Sequence, residues 1–172
     1  SIYVAFKLDN IPQVFADAGV DLARAYVLIW TTTPWTLPAN TAVSFGPDID
    51  YCFVEANGAF MLFAREMVDQ VAEAVGWDSY RIVEADGESV TMKGDAFGGI
   101  TYKTPILDEV EGRIIWGTHV TLESGTGAVH TAPGHGVDDY KVCERFGVPM
   151  IMPVDDDGRF MDIVPEFAGM DT

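Results

Sequence analysis

Two short stretches concentrate the polar chemistry of the chain. Residues 30–40 read Trp-Thr-Thr-Thr-Pro-Trp-Thr-Leu-Pro-Ala-Asn. The hydroxyls of Thr31, Thr32, Thr33 and Thr36 and the amide of Asn40 are crowded here, and Pro34 and Pro38 stiffen the stretch and break any regular ladder. Neutral donors and acceptors on a rigid frame suit the binding of a polar uncharged group or the positioning of a water. A Thr-rich strand edge followed by an ordinary turn has the same composition. Residues 125–140 read Gly-Thr-Gly-Ala-Val-His-Thr-Ala-Pro-Gly-His-Gly-Val-Asp-Asp-Tyr. Here a short strand carries His130, a Gly/Pro-rich loop follows, and a helix starts near Asp138 and Asp139. Glycines let backbone approach a ligand closely.

Other chemistries fit these residues less well. The loop has neither the lysine of GxxxxGK[ST] nor the spacing of GxGxxG, so it is a weak nucleotide cradle. His130, His135, Asp138 and Asp139 could ligate a metal, but no HExxH or Cys/His spacing is present, and no metal is expected. Cys143 beside a histidine could be a nucleophile, yet it falls on the apolar side of its helix, where an inert thiol is expected. His119 reads as a structural strand residue. No GxSxG elbow occurs. Asp155, Asp156 and Asp157 lack the spacing of a calcium loop and read as a solvated turn through Gly158.

The elements that must position these residues are mostly strands. Apolar runs and alternation predict strands over Ile2–Lys7, Ala25–Thr33, Thr41–Phe45, Tyr51–Ala56, Ala59–Ala64, Arg81–Ala85, Ser89–Lys93, Arg113–Trp116, His119–Leu122 and Gly127–Thr131. Asn57-Gly58 between two such runs predicts a hairpin, because both turn positions need positive φ. Phe63, Met67, Val71 and Val75 recur at helical spacing, with Gly76 as the stop. Further helices are expected over Ile11–Ala18 and over Asp138–Phe146, the latter ending at Gly147 with its two aspartates at the positive end of the dipole. Many short strands and few helices predict a mainly β, barrel-like or sandwich-like fold with helical decorations, in the α+β class.

Composition bounds the partners. The 172 residues hold 10 Lys plus Arg against 27 Asp plus Glu, a formal charge of −17, and are 48% hydrophobic. That is one domain with a real core rather than an acidic disordered tail. The charge argues against a DNA- or RNA-binding module and against an anionic membrane surface. No apolar run is long enough to span a bilayer, and the opening Ser-Ile-Tyr-Val-Ala-Phe-Lys lacks the pattern of a signal peptide. Cys52 and Cys143 form no CxxC unit, so a reducing cytoplasmic location is the expectation.

Taken together, residues 30–40 and 125–140 closely resemble the signature peptides of the editing domain of isoleucyl-tRNA synthetase, the insertion known as connective peptide 1. The resemblance covers nearly the whole chain. The valyl and leucyl enzymes typically carry Arg after the threonines, whereas here Pro34 and Trp35 follow Thr33. That favours the isoleucyl branch; a non-catalytic acidic docking module on the same scaffold and an editing domain of the valyl or leucyl type stand as alternatives. A freestanding hydrolase acting in trans is a third. No HIGH-type or KMSKS-type nucleotide signature is present. The ATP site would thus belong to the parent enzyme, and residues 1–172 read as a single editing domain excised from it, with no cofactor of its own.

The resemblance implies hydrolysis of valyl-tRNA(Ile), and of valyl-adenylate as well. One methylene is worth only ~1–3 kcal/mol to a hydrophobic pocket, and the isoleucyl enzyme is itself the usual illustration, at roughly 150-fold discrimination. A second pocket that admits valine and excludes isoleucine supplies the rest. By resemblance, Asp139 binds the α-ammonium of the misattached valine. His130 lines the pocket as a size limit or an orderer of water, with a general-base role as the further option. Thr31, Thr32 and Thr33 contact the carbonyl, the terminal adenosine or the attacking water. Trp35 and Thr36 shape the wall, Asn40 braces the threonine loop or hydrogen-bonds substrate, and Gly127 lies against substrate. Water attacks directly, with no acyl-enzyme. The expected partners are the 3′ end of aminoacylated tRNA(Ile), valyl-adenylate and the rest of the parent synthetase.

Overall fold

The computed structural model describes residues 1–104 and 110–150. The acidic turn expected at Asp155–Gly158 lies outside them. In chain order the elements are β1 (Ile2–Lys7), α1 (Gln13–Asp17), β2 (Ala25–Thr31), β3 (Ala42–Phe45), β4 (Asp50–Ala56), β5 (Ala59–Ala64), α2 (Val68–Val75), β6 (Tyr80–Ile82), β7 (Glu84–Ala85), β8 (Glu88–Ser89), β9 (Met92–Lys93), β10 (Thr101–Lys103), β11 (Glu111–Trp116), β12 (Ala128–Thr131) and α3 (Val137–Phe146).

The strands form two main sheets. The first runs β1-β2-β5-β4-β6, with β9 also paired to β4, and the second runs β10-β11-β3-β12. Most neighbours are antiparallel, but β2 pairs with β5 and β3 with β11 in parallel. A bridge between Leu8 and Tyr102 joins the two sheets at one edge. The mainly β class with helical decorations holds; the described strands lie in separate sheets rather than in one closed ring.

Local chemistry explains most boundaries. Asn57 and Gly58 have φ of 51° and 78°, the left-handed pair that a two-residue hairpin needs, and β4 and β5 pair up to Ala56 and Ala59 on either side. Phe63 falls in β5 rather than in a helix. A 3-10 turn at Arg65–Met67 leads into α2, which buries Val68, Val71 and Ala72 and stops at Gly76 in the left-handed conformation. Likewise α3 ends at left-handed Gly147 and buries Val142 and Cys143. His119 and the residues after it form a turn and loop, not the expected strand, whereas Thr101–Lys103 is a strand that the sequence pattern does not announce.

The core lies between the sheets and is aromatic at its centre. Phe45 stacks on Tyr51 at 3.9 Å, with Phe97 edge-on to both. Each such fully buried side chain contributes on the order of 2 kcal/mol. The Tyr51 hydroxyl accepts the Gly46 N–H at 2.7 Å and donates to the Gly127 carbonyl, which ties β4 to the segment entering β12. A smaller apolar cluster of Ala42, Ile115, Val142, Cys143 and Val148 seats α3 on the second sheet. No described helix is long and apolar enough to cross a membrane.

Candidate functional site

The sheet pairing brings the two polar stretches together. The threonine-rich segment leaves β2 at Thr31, passes through a 3-10 turn over Pro34–Ala39, and enters β3 at Ala42. β12 pairs antiparallel with β3, so that His130 faces Val43 across the ladder. His130 therefore lands beside the peptide that feeds β3, although 90 positions separate it from Asn40.

A directed set of hydrogen bonds runs through that junction. The amide of Asn40 donates from Nδ2 to the Ala42 carbonyl at 3.1 Å, and the same Nδ2 lies 2.7 Å from His130 Nδ1. A carbonyl only accepts and an amide nitrogen only donates, so Nδ1 must be the bare nitrogen of the ring. The proton of neutral His130 then sits on Nε2, which is 2.8 Å from Thr36 Oγ1. Thr36 in turn donates to the Thr33 carbonyl at 2.8 Å. At the far end Tyr102 donates its hydroxyl to Asn40 Oδ1. Asn40, Thr36 and His130 are 0%, 6% and 8% exposed. Burial holds the His130 imidazole down at about 4; nearby His135 adds to the depression and the contact with Thr36 opposes it. His130 is thus a neutral, fully engaged ring with no nitrogen left to take a proton from water.

The threonines divide by exposure. Thr31 is buried and accepts the Thr33 N–H at Oγ1, at 3.1 Å, while Thr32 and Thr33 face outward. Trp35 lies edge-on to His135 at 5.2 Å, so the rims of the two polar stretches touch.

Asp139 approaches from the first turn of α3. Its Oδ2 accepts the Ala132 N–H at 2.9 Å, and among the described residues Oδ1 has no hydrogen-bond donor. A Cβ at Gly136 would come within 3.3 Å of the Asp139 Cγ, so the glycine leaves room for the carboxylate to fold back. Burial pushes this carboxyl up from its ordinary value. The Ala132 N–H and the imidazoles of His119 and His135 act the other way, and Asp138 adds to the rise. The result is a partly desolvated carboxylate with one oxygen free to meet a cation.

A cavity of about 310 Å³ gathers Thr31, Thr32, Thr33, Thr36, His130 and Asp139 along its walls. Six of the nine residues singled out from the sequence are therefore brought together. Trp35 stands at the rim, and Asn40 lies behind His130, bracing the ring and the strand start. Gly127 is elsewhere: its φ is +75°, a Cβ there would strike the Ala64 Cβ at 2.6 Å, and its carbonyl serves Tyr51. Its conformation and its carbonyl serve the backbone, and it is not among the residues lining the cavity. The lining also includes Trp30, His119, Thr121, Ser124 and His135, to which sequence reasoning gave no place in the pocket wall. The Nε2 atoms of His119 and His135 are buried without a hydrogen-bond partner among the described residues.

Chemically, the cavity offers hydroxyls, a carboxylate and imidazoles, of which burial holds those of His130 and His135 below their ordinary value. Both thiols are unsuited to nucleophilic attack, because burial pushes Cys52 up to about 12 and Cys143 up to about 11. No group of three or more His, Cys, Asp or Glu among the described residues is placed to hold a metal ion.

No protein-family model matches the chain. It is 44% identical to the isoleucine–tRNA ligase of Desulfovibrio desulfuricans, over 99% of this chain and 17% of that protein. It is 41% identical to the isoleucine–tRNA ligase of Geobacillus thermodenitrificans, again over 99% of this chain and 17% of the relative. The chain thus spans about a sixth of the length of the curated relatives it matches. Among solved structures it resembles GlLeuRS-CP1, with a TM-score of 0.67 and 18% identity over 89% of this chain and 70% of that one. It also resembles the Plasmodium knowlesi cytosolic leucyl-tRNA synthetase editing domain, with a TM-score of 0.63 and 12% identity over 83% of this chain and 62% of that one. The ligases carry the sequence likeness, and the editing domains share the fold.

Proposed function

We propose that this chain, homologous over 99% of its length to isoleucine–tRNA ligases and folded like a CP1 editing domain, hydrolyses the aminoacyl ester of valyl-tRNA(Ile), and valyl-adenylate as well. It is one domain of a longer cytoplasmic synthetase, which contributes most of the tRNA contacts. A net charge of −17 fits that division, because the phosphate backbone needs cations that this domain lacks.

The observation that carries the proposal is the meeting of Asp139 and the threonine-rich segment in one cavity of about 310 Å³. A free α-ammonium distinguishes an aminoacyl ester from other esters, and Asp139 Oδ1 is a fixed anionic partner for it. The hydroxyls of Thr31, Thr32 and Thr33 hold the ester carbonyl and the attacking water. His130 neither accepts a proton nor attacks. It forms a rigid wall that limits the side chain to the size of valine, and it keeps the threonine peptide in place. With both thiols locked in the neutral form, water adds directly to the carbonyl, the bond to the leaving oxygen (ribose in the tRNA ester, phosphate in the adenylate) breaks, and the proton from water passes to the leaving oxygen or to solvent, freeing valine.

The test is binding of non-hydrolysable valyl- and isoleucyl-adenosine analogues, which need no tRNA body for presentation. The valyl compound is expected to bind and to contact Asp139 and Thr31–Thr33. Equal affinity for the isoleucyl compound would refute the size limit, and failure of both to bind would favour a docking module.

A further inference from the structure

We infer that Tyr102 is a positioning residue for this site: through Asn40 it holds His130 in the tautomer protonated at Nε2, and so directs the Thr36 hydroxyl at the Thr33 carbonyl. The role of the site rests on the editing reading; the lock itself does not.

Tyr102 sits on β10, in a different region of sequence from both polar stretches, and it is fully buried. Its ring is fixed on two sides. Phe6 stacks on it at 5.2 Å with the planes 19° apart. Gly112 lies directly across the ladder, and a Cβ there would come within 2.1 Å of the Tyr102 ring. The glycine is a floor on which the aromatic lies flat, the pairing by which a large ring covers a bare strand position. A ring held in this way delivers its hydroxyl to one point, and that point is Asn40 Oδ1.

The consequence passes through the Asn40 amide. Turned over, the amide would set Oδ1 against the Ala42 carbonyl and present an acceptor to His130 Nδ1, and the ring proton would move to that nitrogen. His130 Nε2 would then accept from Thr36, and the Thr36 hydroxyl would leave the Thr33 carbonyl. Two contacts oppose that rotation: the Ala42 carbonyl, which demands a donor, and the Tyr102 hydroxyl, which supplies one. Burial keeps the Tyr102 phenol protonated far above its ordinary value. Together with the Ala42 carbonyl, Tyr102 therefore holds the Asn40 amide in the sense that directs its bond to His130 and, through the ring, that of His130 to Thr36, without reaching the cavity.

The experiment reads the ring directly. Two-bond nitrogen–proton correlation spectra of the chain, with His130 assigned by its disappearance in His130→Gln, report which ring nitrogen carries the proton. Wild type is expected to show a proton on Nε2 and a bare Nδ1. Tyr102→Phe keeps the stack on Phe6 and is expected to shift His130 to a mixture of tautomers; Gly112→Ala, which pushes the ring aside from below, is expected to do the same. Asn40→Asp is expected to reverse the tautomer outright. In parallel, Tyr102→Phe is expected to lower kcat for valyl-tRNA(Ile) deacylation roughly 10- to 100-fold with little change in KM, the scale of a small misplacement near a reacting group. A wild-type proton on Nδ1, or a wild-type ring spectrum in both Tyr102→Phe and Gly112→Ala, overturns the lock. A shifted tautomer with unchanged kcat overturns the positioning role. A wild-type chain with the Nε2 proton that binds no valyl-adenosine analogue supports the lock and counts against the editing reading instead.

Discussion

Asp139 Oδ2 accepts the Ala132 N–H at 2.9 Å, and this bond ties the first turn of α3 to the end of the strand that carries His130. The carboxylate is held by one oxygen and offered by the other. A helix terminus and a strand terminus thereby move as one body around the cavity.

Asp139→Asn separates the charge from the brace, because the amide oxygen can still accept from Ala132. Loss of the carboxylate is expected to reduce valyl-tRNA(Ile) deacylation about 100-fold or more, as for other charged partners removed from a recognised ion. Stability is expected to stay within about 1 kcal/mol. Relief of a desolvated charge opposes the loss of a favourable anion at the helix start. Steady-state deacylation and a urea titration check both halves.

Thr36→Val removes the hydroxyl between His130 Nε2 and the Thr33 carbonyl. The buried ring N–H then lacks an acceptor, which is expected to cost about 1–3 kcal/mol. The freed threonine loop is expected to lose deacylation in step. A variant with an unchanged unfolding midpoint would show that the bond does not form in solution.

The acid limb of stability is expected to depend on His130. Its ring is held at about 4 in the folded chain against an ordinary 6.5. Between those values the unfolded chain binds more protons, so stability rises with pH and is lost as the solution is acidified through that window, on the order of 3 kcal/mol in total. Asp139 acts in the opposite sense just above 3.8: its raised carboxyl makes the folded chain the better proton binder there. Urea midpoints across this range are expected to fall less steeply with acid in His130→Gln than in wild type. Equal slopes would contradict a buried neutral ring.

Gly127→Ala combines a left-handed φ of +75° with a Cβ driven against Ala64. A loss of about 2–4 kcal/mol is expected from the backbone and crowding together. Thermal unfolding of the variant measures it.

Much of the site is legible where residue type alone specifies chemistry. Three threonines before Pro34, Thr36 between Pro34 and Pro38, and a carboxylate at the start of a helix behind a glycine stand out as polar chemistry, and the resemblance supplies their roles. The Asn57-Gly58 turn is equally plain, since few other pairs accept positive φ twice. What the pattern hides is contact made by topology. His119 sits among β-branched neighbours that resemble a strand, yet its ring lies over Gly117, where a Cβ would meet it at 2.6 Å, and the chain turns there into the cavity wall. Thr121 and Ser124 reach the same wall from this loop and carry no local signal. The pairing of Tyr102 with Gly112 depends on strand register, which short apolar runs specify weakly. Gly127 shows a second use of glycine within a motif: its freedom serves a left-handed φ and close packing on Ala64.

The placement of β3 has a consequence for the order of assembly. Ala42 pairs with Arg113 on one side and with Thr131 on the other, so a strand made early in synthesis waits for both neighbours to emerge much later. Such long-range pairing is slow, and it leaves Ala42–Phe45 an unpaired apolar strand in the meantime. The candidate pocket is consequently among the last parts to form. A growing polypeptide carries the threonine loop from the start but no working site until β12 has closed, which makes residues 42–45 the segment most in need of shielding while the ribosome finishes the domain.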